Sequence, residues 1–270
     1  MTGIASPPLK WHGGKSFLAK KFIALFPPHL HYVEPFFGSG AVLLEKDPEG
    51  VSEVVNDIDK RLIGFWNVLA DPDLFSSFLR RVQATPFSEE AWEYAGNWLE
   101  EGWSDRLSNA HHFFVRCRQS LAGRMKSFAP LSKTRVRRGM NEQASAWLSA
   151  VDGLPAVHER LKRVVILCRD ALDVLRTEDG PKTLFMCDPP YLHETRASRN
   201  VYEHEMSRAD HARLLEILKS RRGNWMLCGY RNAMYDDVLA GFKRHDFSLP
   251  NNASGGKEKR RMTECLWTSF

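Results

Sequence analysis

The sequence predicts an α/β protein in which a doubly wound, mostly parallel sheet is interrupted by a mostly helical domain. Short apolar runs of strand length alternate with segments of helical periodicity near both ends of the chain. Between them, residues 65–160 carry mainly helical periodicity. We therefore expect residues 1–64 and 161–270 to form the α/β domain, with residues 65–160 inserted as a second domain.

The first two strand candidates flank a glycine-rich turn. Tyr32-Val33 leads into Phe37-Gly38-Ser39-Gly40, and residues 41–44 form an apolar run that we expect to be helical. Residues 53–55 are the second candidate strand, which ends at Asn56-Asp57.

The middle of the chain has the signals of several helices. Apolar residues recur at spacings of three and four from residue 62 to 69, Asp71-Pro72 is typical of a helix start, and Ser88 is a candidate N-cap. Further helices are expected at residues 88–100, 107–119 and 144–161, the last in two pieces split near residues 153–155, whereas residues 123–139 read as a loop or hairpin.

Strand patterns return in the last third of the chain. Residues 164–167 and 184–187 are continuous apolar runs of the kind that buried parallel strands show, and residues 225–228 and 265–267 complete the set. A helix is expected at residues 210–218.

Composition excludes several classes of protein. The apolar fraction of 43% supports a packed core, no apolar run is long enough to cross a bilayer, and the N-terminus lacks the apolar segment of a signal peptide. We therefore expect a cytoplasmic protein. The odd number of scattered cysteines and the lack of H-E-x-x-H argue against a metal site, and we expect Cys168, Cys187, Cys228 and Cys265 to be buried reduced thiols.

Basic residues are concentrated in one segment of this chain, whose formal net charge is +5. Residues 116–138 contain no acidic residue. The basic residues there are Arg116, Arg118, Arg124, Lys126, Lys133, Arg135, Arg137 and Arg138. A solvated surface is one explanation; contact with phosphates is the one that we favour. A second basic run lies at residues 257–261.

The glycine-rich turn and the acid after the next strand suggest a nucleoside ligand. Gly38 and Gly40 would let the backbone approach a ligand, and Asp57 could accept hydrogen bonds from ribose hydroxyls. Neither G-x-G-x-x-G nor a P-loop is present, so neither a dinucleotide nor a nucleoside triphosphate is favoured. A simple tight turn remains the alternative.

The segment Asp188-Pro189-Pro190-Tyr191 follows a predicted buried strand, where open α/β sheets place their ligands. The prolines stiffen the backbone and cannot donate hydrogen bonds, so the Asp188 carboxylate and a proline carbonyl could both accept from one amino group. Tyr191 offers a ring face for a base. A rigid Pro-Pro turn is the structural alternative.

Four ordered motifs carry a family resemblance. K-W-x-G-G-K at residues 10–15, E-P-F-x-G-x-G at 34–40, N-D-x-D at 56–59 and D-P-P-Y at 188–191 resemble the Dam-type, or D12-class, N6-adenine DNA methyltransferases. The insert between N-D-x-D and D-P-P-Y resembles the arrangement in family members that have a central target-recognition domain. The segments at residues 227–230 and 263–267 are similar to those of phage and prophage members.

The resemblance implies a Rossmann-like fold, S-adenosylmethionine as cofactor and double-stranded DNA as partner. Its motif positions imply that Asp188, Pro189, Pro190 and Tyr191 are catalytic and hold a flipped adenine. The implied cofactor contacts are Trp11, Lys15, Glu34, Phe37, Gly38, Gly40, Asp57, Asp170 and Asp188. Where the family commonly has phenylalanine after the aspartate at position 170, this chain has Ala171.

We expect direct in-line methyl transfer without a covalent enzyme intermediate, because no cysteine lies in the Pro-Cys motif of cytosine-ring methylation. The eight basic residues at 116–138 are the predicted DNA contacts. Two alternatives remain: a related methyltransferase for RNA or a protein amide, although the latter typically carries Asn where Asp188 stands, and a DNA-binding relative without activity.

Overall fold

The computed structural model describes residues 5–102, 105–196, 203–250 and 261–270. The strands within these ranges are β1 His31–Glu34, β2 Ser52–Asn56, β3 Val136–Arg137, β4 Met140–Asn141, β5 Val164–Leu167, β6 Thr183–Cys187, β7 Asn224–Gly229, β8 Lys243–Pro250 and β9 Arg261–Thr268. The α-helices there are α1 Ala19–Ile23, α2 Lys60–Ala70, α3 Pro72–Ala84, α4 Glu89–Glu101, α5 Arg106–Arg118, α6 Glu142–Asp152, α7 Leu154–Leu161, α8 Ala171–Thr177, α9 Arg208–Lys219 and α10 Ala233–Val238.

The chain divides into two compact units, each built from several segments. The first unit comprises Met1–Leu25, Gly38–Glu49 and Asp59–Cys168, and the second comprises Phe26–Phe37, Gly50–Ile58 and Arg169–Phe270. The assignment of residues 65–160 to a separate DNA-binding domain stays a prediction. In the described ranges, no helix has the length and apolarity needed to cross a membrane.

The second unit contains the mostly parallel sheet that the sequence predicts. Six of its strands lie in the order β2-β1-β6-β7-β9-β8. β1 pairs in parallel with β2 and β6, and β6 pairs in parallel with β7, while β9 is antiparallel to both β7 and β8. Every residue of β6 is buried. The α/β class is therefore confirmed, and the carboxyl ends of β2, β1, β6 and β7 share one edge.

The strand β8 was not predicted from the sequence. Residues 243–249 of this strand are exposed or partly buried, and they include Lys243, His245 and Asp246. It pairs with β9 at the end of the strand order, so its side chains are not driven to be apolar.

Helices α2 to α5 begin at acidic or hydroxyl N-caps and pack through aromatic faces in the first unit. The side chains of Asp59, Asp71, Ser88 and Asp105 accept from backbone N–H groups in the first turns of α2, α3, α4 and α5 respectively. Phe65 on α2 stacks on Phe114 on α5, with ring centroids 5.7 Å apart. The predicted starts at Asp71-Pro72 and Ser88 are confirmed, as is the split of residues 144–161 into α6 and α7.

The expected helix at residues 41–44 is wrong. These residues form turns, in which the Leu44 N–H donates to the Gly40 carbonyl at 3.0 Å. The Lys46 N–H donates to the Val42 carbonyl, whereas the Glu45 N–H between these two donors bonds three residues back, also to Val42, so the four-residue bonds are not consecutive. Pro48 disfavours helical angles at the residue before it and so prevents the turns from continuing as a helix. The E-P-F-x-G-x-G motif therefore does not open onto a helix N-terminus.

β5 is a strand as predicted, but it is not deeply buried. Val165 is 54% exposed, and Cys168, expected to be buried, is exposed. An apolar run of four residues indicates a strand without fixing how many of its faces are covered. The other predicted thiols, Cys187, Cys228 and Cys265, are buried, and all five cysteines are unbridged.

The loop or hairpin predicted at residues 123–139 is confirmed. β3 pairs antiparallel with β4, with Val136 opposite Asn141 and Arg137 opposite Met140. The two-residue turn between them has positive φ at both positions, 55° at Arg138 and 75° at Gly139, as tight hairpin turns require.

Candidate active site

The D-P-P-Y segment directly follows β6 in the second unit. Cys187 is the last residue of β6, and it is paired with Leu227 of β7. Asp188 therefore leaves the sheet at the shared carboxyl edge of the parallel strands, where a carboxylate can face a ligand. The side chain of Asp188 is half-buried, and Pro189 is buried.

Tyr191 is held by contacts at both its hydroxyl and its ring. Its hydroxyl lies 3.2 Å from Asp188 Oδ1 and donates a hydrogen bond to Glu264 Oε1 on β9. The ring of Tyr230 packs edge-on against it, with centroids 4.8 Å apart. Burial and the neighbouring carboxylates of Asp188 and Glu264 raise the pKa of the Tyr191 phenol well above its ordinary value, so the phenol stays protonated.

Glu264 and Cys228 are neighbours of the candidate site to which the sequence assigned no role in the site. Glu264 is 6% exposed, and ligand atoms of Asp188, Cys228 and Glu264 all lie within 4.8 Å of one another. Such a set could hold a metal ion, but the Tyr191 hydroxyl already lies within hydrogen-bonding reach of both carboxylates. The available sequence signal was a single acid beside the apolar run at residues 265–267.

The end of β1 presents a buried carboxylate. Glu34 is 4% exposed, and the Tyr32 hydroxyl donates to its Oε1 at 2.8 Å. Burial, followed by the charges of Glu34 and Glu53, raises the pKa of Tyr32 well above its ordinary value. Phe37 is 3% exposed, and its backbone N–H donates to the Asn56 carbonyl at 2.8 Å.

Asn56 fixes the backbone around the predicted ribose site, a role that the sequence did not indicate. Its Nδ2 donates to the carbonyls of Pro35 and Arg169, both at 3.0 Å, and its Oδ1 accepts from the Arg169 N–H at 2.9 Å. Asp57, next along the chain, is half-buried. Asp170 is exposed and caps α8 by accepting from the Leu172 N–H at 2.7 Å.

In the first unit, two motifs that are distant in the sequence meet. An added Cβ at Gly38, where φ is +51°, would lie 2.9 Å from Trp11 Nε1, and the Trp66 indole donates to the Gly38 carbonyl at 3.1 Å. Lys15 is 7% exposed, and its Nζ donates to the Gly13 carbonyl at 2.7 Å.

The predicted cofactor residues divide between the two units. Trp11, Lys15, Gly38 and Gly40 belong to the first unit, and Glu34, Phe37, Asp57, Asp170 and Asp188 belong to the second. Gly40 has a φ of 67°, which explains why glycine is used there.

Lys10, the first residue of K-W-x-G-G-K, is anchored to the helical part of the same unit. Its carbonyl accepts from Cys117 Sγ at 3.1 Å, and its Nζ donates to Gln143 Oε1 at 3.1 Å. Burial, followed by the Arg118 cation, lowers the pKa of Lys10 to about 8. An added Cβ at Gly123 would lie 1.9 Å from the Lys10 carbonyl oxygen, so the backbones touch there.

The eight predicted DNA contacts fall into two groups. Arg116 lies over the Trp92 ring, 3.3 Å from its centroid, and Arg118 donates to the Ala146 carbonyl at 2.9 Å, so both contribute to helix packing. The other six, Arg124, Lys126, Lys133, Arg135, Arg137 and Arg138, are exposed. Of the second basic run, residues 257–260 lie outside the described residues.

Comparisons with known proteins identified several DNA methyltransferases that are similar to this chain. The chain is 25% identical over 278 residues to the Type II methyltransferase M1.LlaDCHI of Lactococcus lactis subsp. cremoris, covering 98% of this chain and 95% of that relative. It is 24% identical to the DNA N-6-adenine-methyltransferase of Escherichia phage P1, over 79% of this chain and 28% of that protein. A DNA adenine methylase of Vibrio cholerae is also 24% identical, over 68% of this chain and 64% of the relative.

Two solved structures were also found to be similar. One is a SAM dependent methyltransferase from Agrobacterium tumefaciens, with a TM-score of 0.39 and 12% identity, covering 94% of this chain and 59% of that one. The other is the rRNA methyltransferase aviRa from Streptomyces viridochromogenes, with a TM-score of 0.36 and 14% identity, covering 98% and 90% respectively.

The model of one protein family matches residues 11–248, which is most of the chain and includes all four motifs apart from Lys10. The chain therefore belongs to the D12 class N6 adenine-specific DNA methyltransferase family, enzymes that transfer a methyl group from S-adenosylmethionine to the N6 amine of adenine in DNA.

Proposed function

We propose that Asp188, Pro189, Pro190 and Tyr191 hold an adenine that has left the DNA duplex, and that the methyl group passes to N6 directly and in line. The observation that carries this proposal is the position of Asp188 at the carboxyl end of β6, with its Oδ1 3.2 Å from the Tyr191 hydroxyl. Chemistry on a base in a duplex requires the base to leave the stack, because its amino group is otherwise out of reach.

Each residue of the segment has a distinct role in this proposal. Asp188 accepts a hydrogen bond from the N6 amine and draws off the positive charge that develops on nitrogen as it attacks carbon. The prolines fix the backbone so that a carbonyl can serve as a second acceptor. The ring of Tyr191, oriented by Tyr230, offers a stacking surface for the base.

The acidic residues of the second unit fit S-adenosylmethionine better than a phosphate-bearing cofactor. Glu34, Asp57 and Asp170 are carboxylates, which suit ribose hydroxyls, an ammonium group and a sulfonium but would repel phosphates. We assign Glu34 and Phe37 to the methionine part, Asp57 to the ribose and Asp170 to the adenine of the cofactor. When bound, the cofactor supplies an activated methyl group on sulfur.

Trp11, Lys15, Gly38 and Gly40 are assigned to the cofactor from the first unit. The contact of Trp11 with Gly38 and the burial of Lys15 support this assignment, because both motifs are held rigidly rather than exposed as solvated turns. Rigid placement of binding groups lowers the entropy cost of capturing a ligand.

The helical region at residues 65–160 is assigned to DNA recognition, with the six exposed basic residues on and before the β3–β4 hairpin contacting phosphates. Arg116 and Arg118 are not carried into this interface, since their guanidinium groups already serve helix packing. We infer a cytoplasmic location, where bacterial and phage DNA are found.

The proposed site is tested by expressing the chain in a bacterium that lacks adenine methylation and sequencing its genomic DNA by a single-molecule method. Wild-type protein should place N6-methyladenine at one short motif, and Asp188→Ala should abolish the modification while binding of S-adenosylmethionine to the purified variant is retained. Asp237→Ala, which removes an exposed carboxylate of the same unit, is the matched control. Methylation by Asp188→Ala at the wild-type level would refute the proposed site.

A further inference from the structure

A single phenol lies between two carboxylates in the second unit. The Tyr191 hydroxyl oxygen is 3.2 Å from Asp188 Oδ1 and is also hydrogen-bonded to Glu264 Oε1. Glu264 carries a carboxylate but is only 6% exposed, like the buried apolar residues Cys265, Leu266 and Trp267 that follow it on β9. Since a buried carboxylate is costly unless it is hydrogen-bonded, its retention here calls for a reason.

The Tyr191 hydroxyl can donate one hydrogen bond and accept others. A phenol carries one hydrogen and two lone pairs. The Tyr191 hydroxyl lies within donating reach of both Asp188 and Glu264, and its single hydrogen can go to only one of them at a time. When it goes to Glu264, the lone pairs of the phenol oxygen face Asp188. In that arrangement an ionised Asp188 has no hydrogen to give, but once Asp188 takes up a proton it can donate to the phenol oxygen across the same 3.2 Å contact.

Methyl transfer releases such a proton beside Asp188. As the N6–CH3 bond forms and the S–CH3 bond breaks with its electron pair going to sulfur, the nitrogen is left with one proton more than the product carries. We propose that Glu264 is a positioning residue that acts through Tyr191: Asp188 accepts the N6 proton, the Tyr191 oxygen accepts it in turn, and the phenol proton moves to Glu264. The Asp188 carboxylate is thereby restored, and no other reactant is needed. This inference rests on the proposed function of the D-P-P-Y segment.

The strand register shows which neighbouring side chains share the face of Glu264. In the register of β7, β9 and β8, Cys228 lies opposite Leu266, so it shares the face of Glu264. On β8, His245 lies opposite Leu266 and so shares the face of Glu264. Asp246 and Arg244 of β8 instead interact with Cys265, whose side chain points to the opposite face. Among the described residues, the titratable groups near Glu264 or on its face of the sheet include Asp188, Tyr191, Cys228 and His245.

The test measures single-turnover methylation of unmethylated genomic DNA, with labelled S-adenosylmethionine, across the acid range of pH. Because the route needs both carboxylates ionised, the logarithm of the wild-type rate should approach a slope of two against pH on the acid side. Glu264→Gln keeps the shape but cannot take the proton. We expect its rate to fall by about 10- to 100-fold with an acid slope of one, and DNA and cofactor affinities to stay within about twofold. Glu264→Asp should recover part of the rate.

Tyr191→Phe tests the same route independently of Glu264 and decides the matter if Glu264→Gln does not fold. It should show the same loss and an acid slope of one, and the double variant should be no slower than the slower single variant. Wild-type rate and slope in Glu264→Gln, or in Tyr191→Phe, would overturn the inference. Asp188→Ala distinguishes failure of the proposed function from failure of the role of Glu264. If Asp188→Ala stays active, the proposed function of the D-P-P-Y segment is wrong. If it is inactive while Glu264→Gln behaves as wild type, only the role of Glu264 is wrong.

Discussion

Gly123 is the position where one added methyl group should have the largest effect on the first unit. Its φ is +71°, and a Cβ built there would lie 1.9 Å from the Lys10 carbonyl oxygen and 2.5 Å from the Lys10 carbonyl carbon. Both atoms belong to backbone, so neither can swing aside as a side chain would. Gly139 is a matched control, because its φ is +75° and an added Cβ would meet nothing within 4 Å.

The expected loss of stability differs between alanine at Gly123 and alanine at Gly139. A left-handed alanine costs about 1–2 kcal/mol at either position, and the loss of glycine's freedom in the unfolded chain returns about 0.4–1 kcal/mol, so Gly139→Ala should lose about 0.5–1 kcal/mol. At Gly123 the Lys10 carbonyl must also move by more than an ångström to reach an ordinary contact distance. That movement disrupts the hydrogen bonds of Lys10 with Cys117 and Gln143, which should lower the free energy of unfolding by about 2 kcal/mol more.

Thermal unfolding and cofactor binding provide the two measurements. A total near 3 kcal/mol should lower the Tm of Gly123→Ala by about 6–12 °C, against about 1–4 °C for Gly139→Ala. Because Lys10 is bonded to Trp11, Gly123→Ala should also weaken binding of S-adenosylmethionine by about tenfold, which corresponds to about 1.4 kcal/mol, while Gly139→Ala should leave it unchanged. Equal melting temperatures for the two variants would refute the backbone contact as the cause.

Three further outcomes are expected. Lys10 has a pKa of about 8 in the folded chain, against 10.5 when it is unfolded. Between these pH values the unfolded state holds more protons, so the free energy of unfolding should rise with pH across that window. Melting curves from pH 7 to 11 should show this rise in the wild type and its loss in Lys10→Met. Lys133→Ala or Arg137→Ala should each reduce the salt dependence of DNA affinity by about one unit of the log–log slope, whereas Arg116→Ala should leave the slope unchanged and lower the Tm. Removal of divalent cations with a chelator should leave the rate of methylation unchanged, because the Tyr191 hydroxyl already bridges Asp188 and Glu264, and a loss that added metal restores would contradict this account.

The sequence sufficed to predict the strands of the buried sheet and most helices. β6 and β7 each lie between two neighbouring strands and are buried, and burial requires apolar side chains. Their apolar runs therefore made both strands predictable. The starts of α3 and α4 were visible because capping is a local interaction between a side chain and the next turn. β8 was missed because a strand at the end of the order needs no apolar pattern.

The contacts of the candidate site were harder to predict because they join residues that are far apart in the chain. Glu264 lies 73 residues from Tyr191, and only the pairing of β9 with β7 brings it to the end of β6. The contact of Gly123 with Lys10 involves a carbonyl group, which every residue carries and no sequence pattern marks. Similarly, eight basic residues look alike in sequence, and only the packing of Trp92 and Ala146 distinguishes Arg116 and Arg118 from the rest.

Asn56 shows why the N-D-x-D motif begins with an amide rather than an acid. The site at the end of β2 offers two carbonyl oxygens, from Pro35 and Arg169, and one N–H group, from Arg169. Among side chains of this length, only asparagine supplies two N–H donors and a carbonyl acceptor together, and Asn56 uses all three while fully buried. An aspartate would place a charged acceptor against two carbonyl oxygens, away from water. The amide therefore holds the turn after β1 and the segment before α8 at a fixed spacing, and the next residue, Asp57, is presented from that rigid frame.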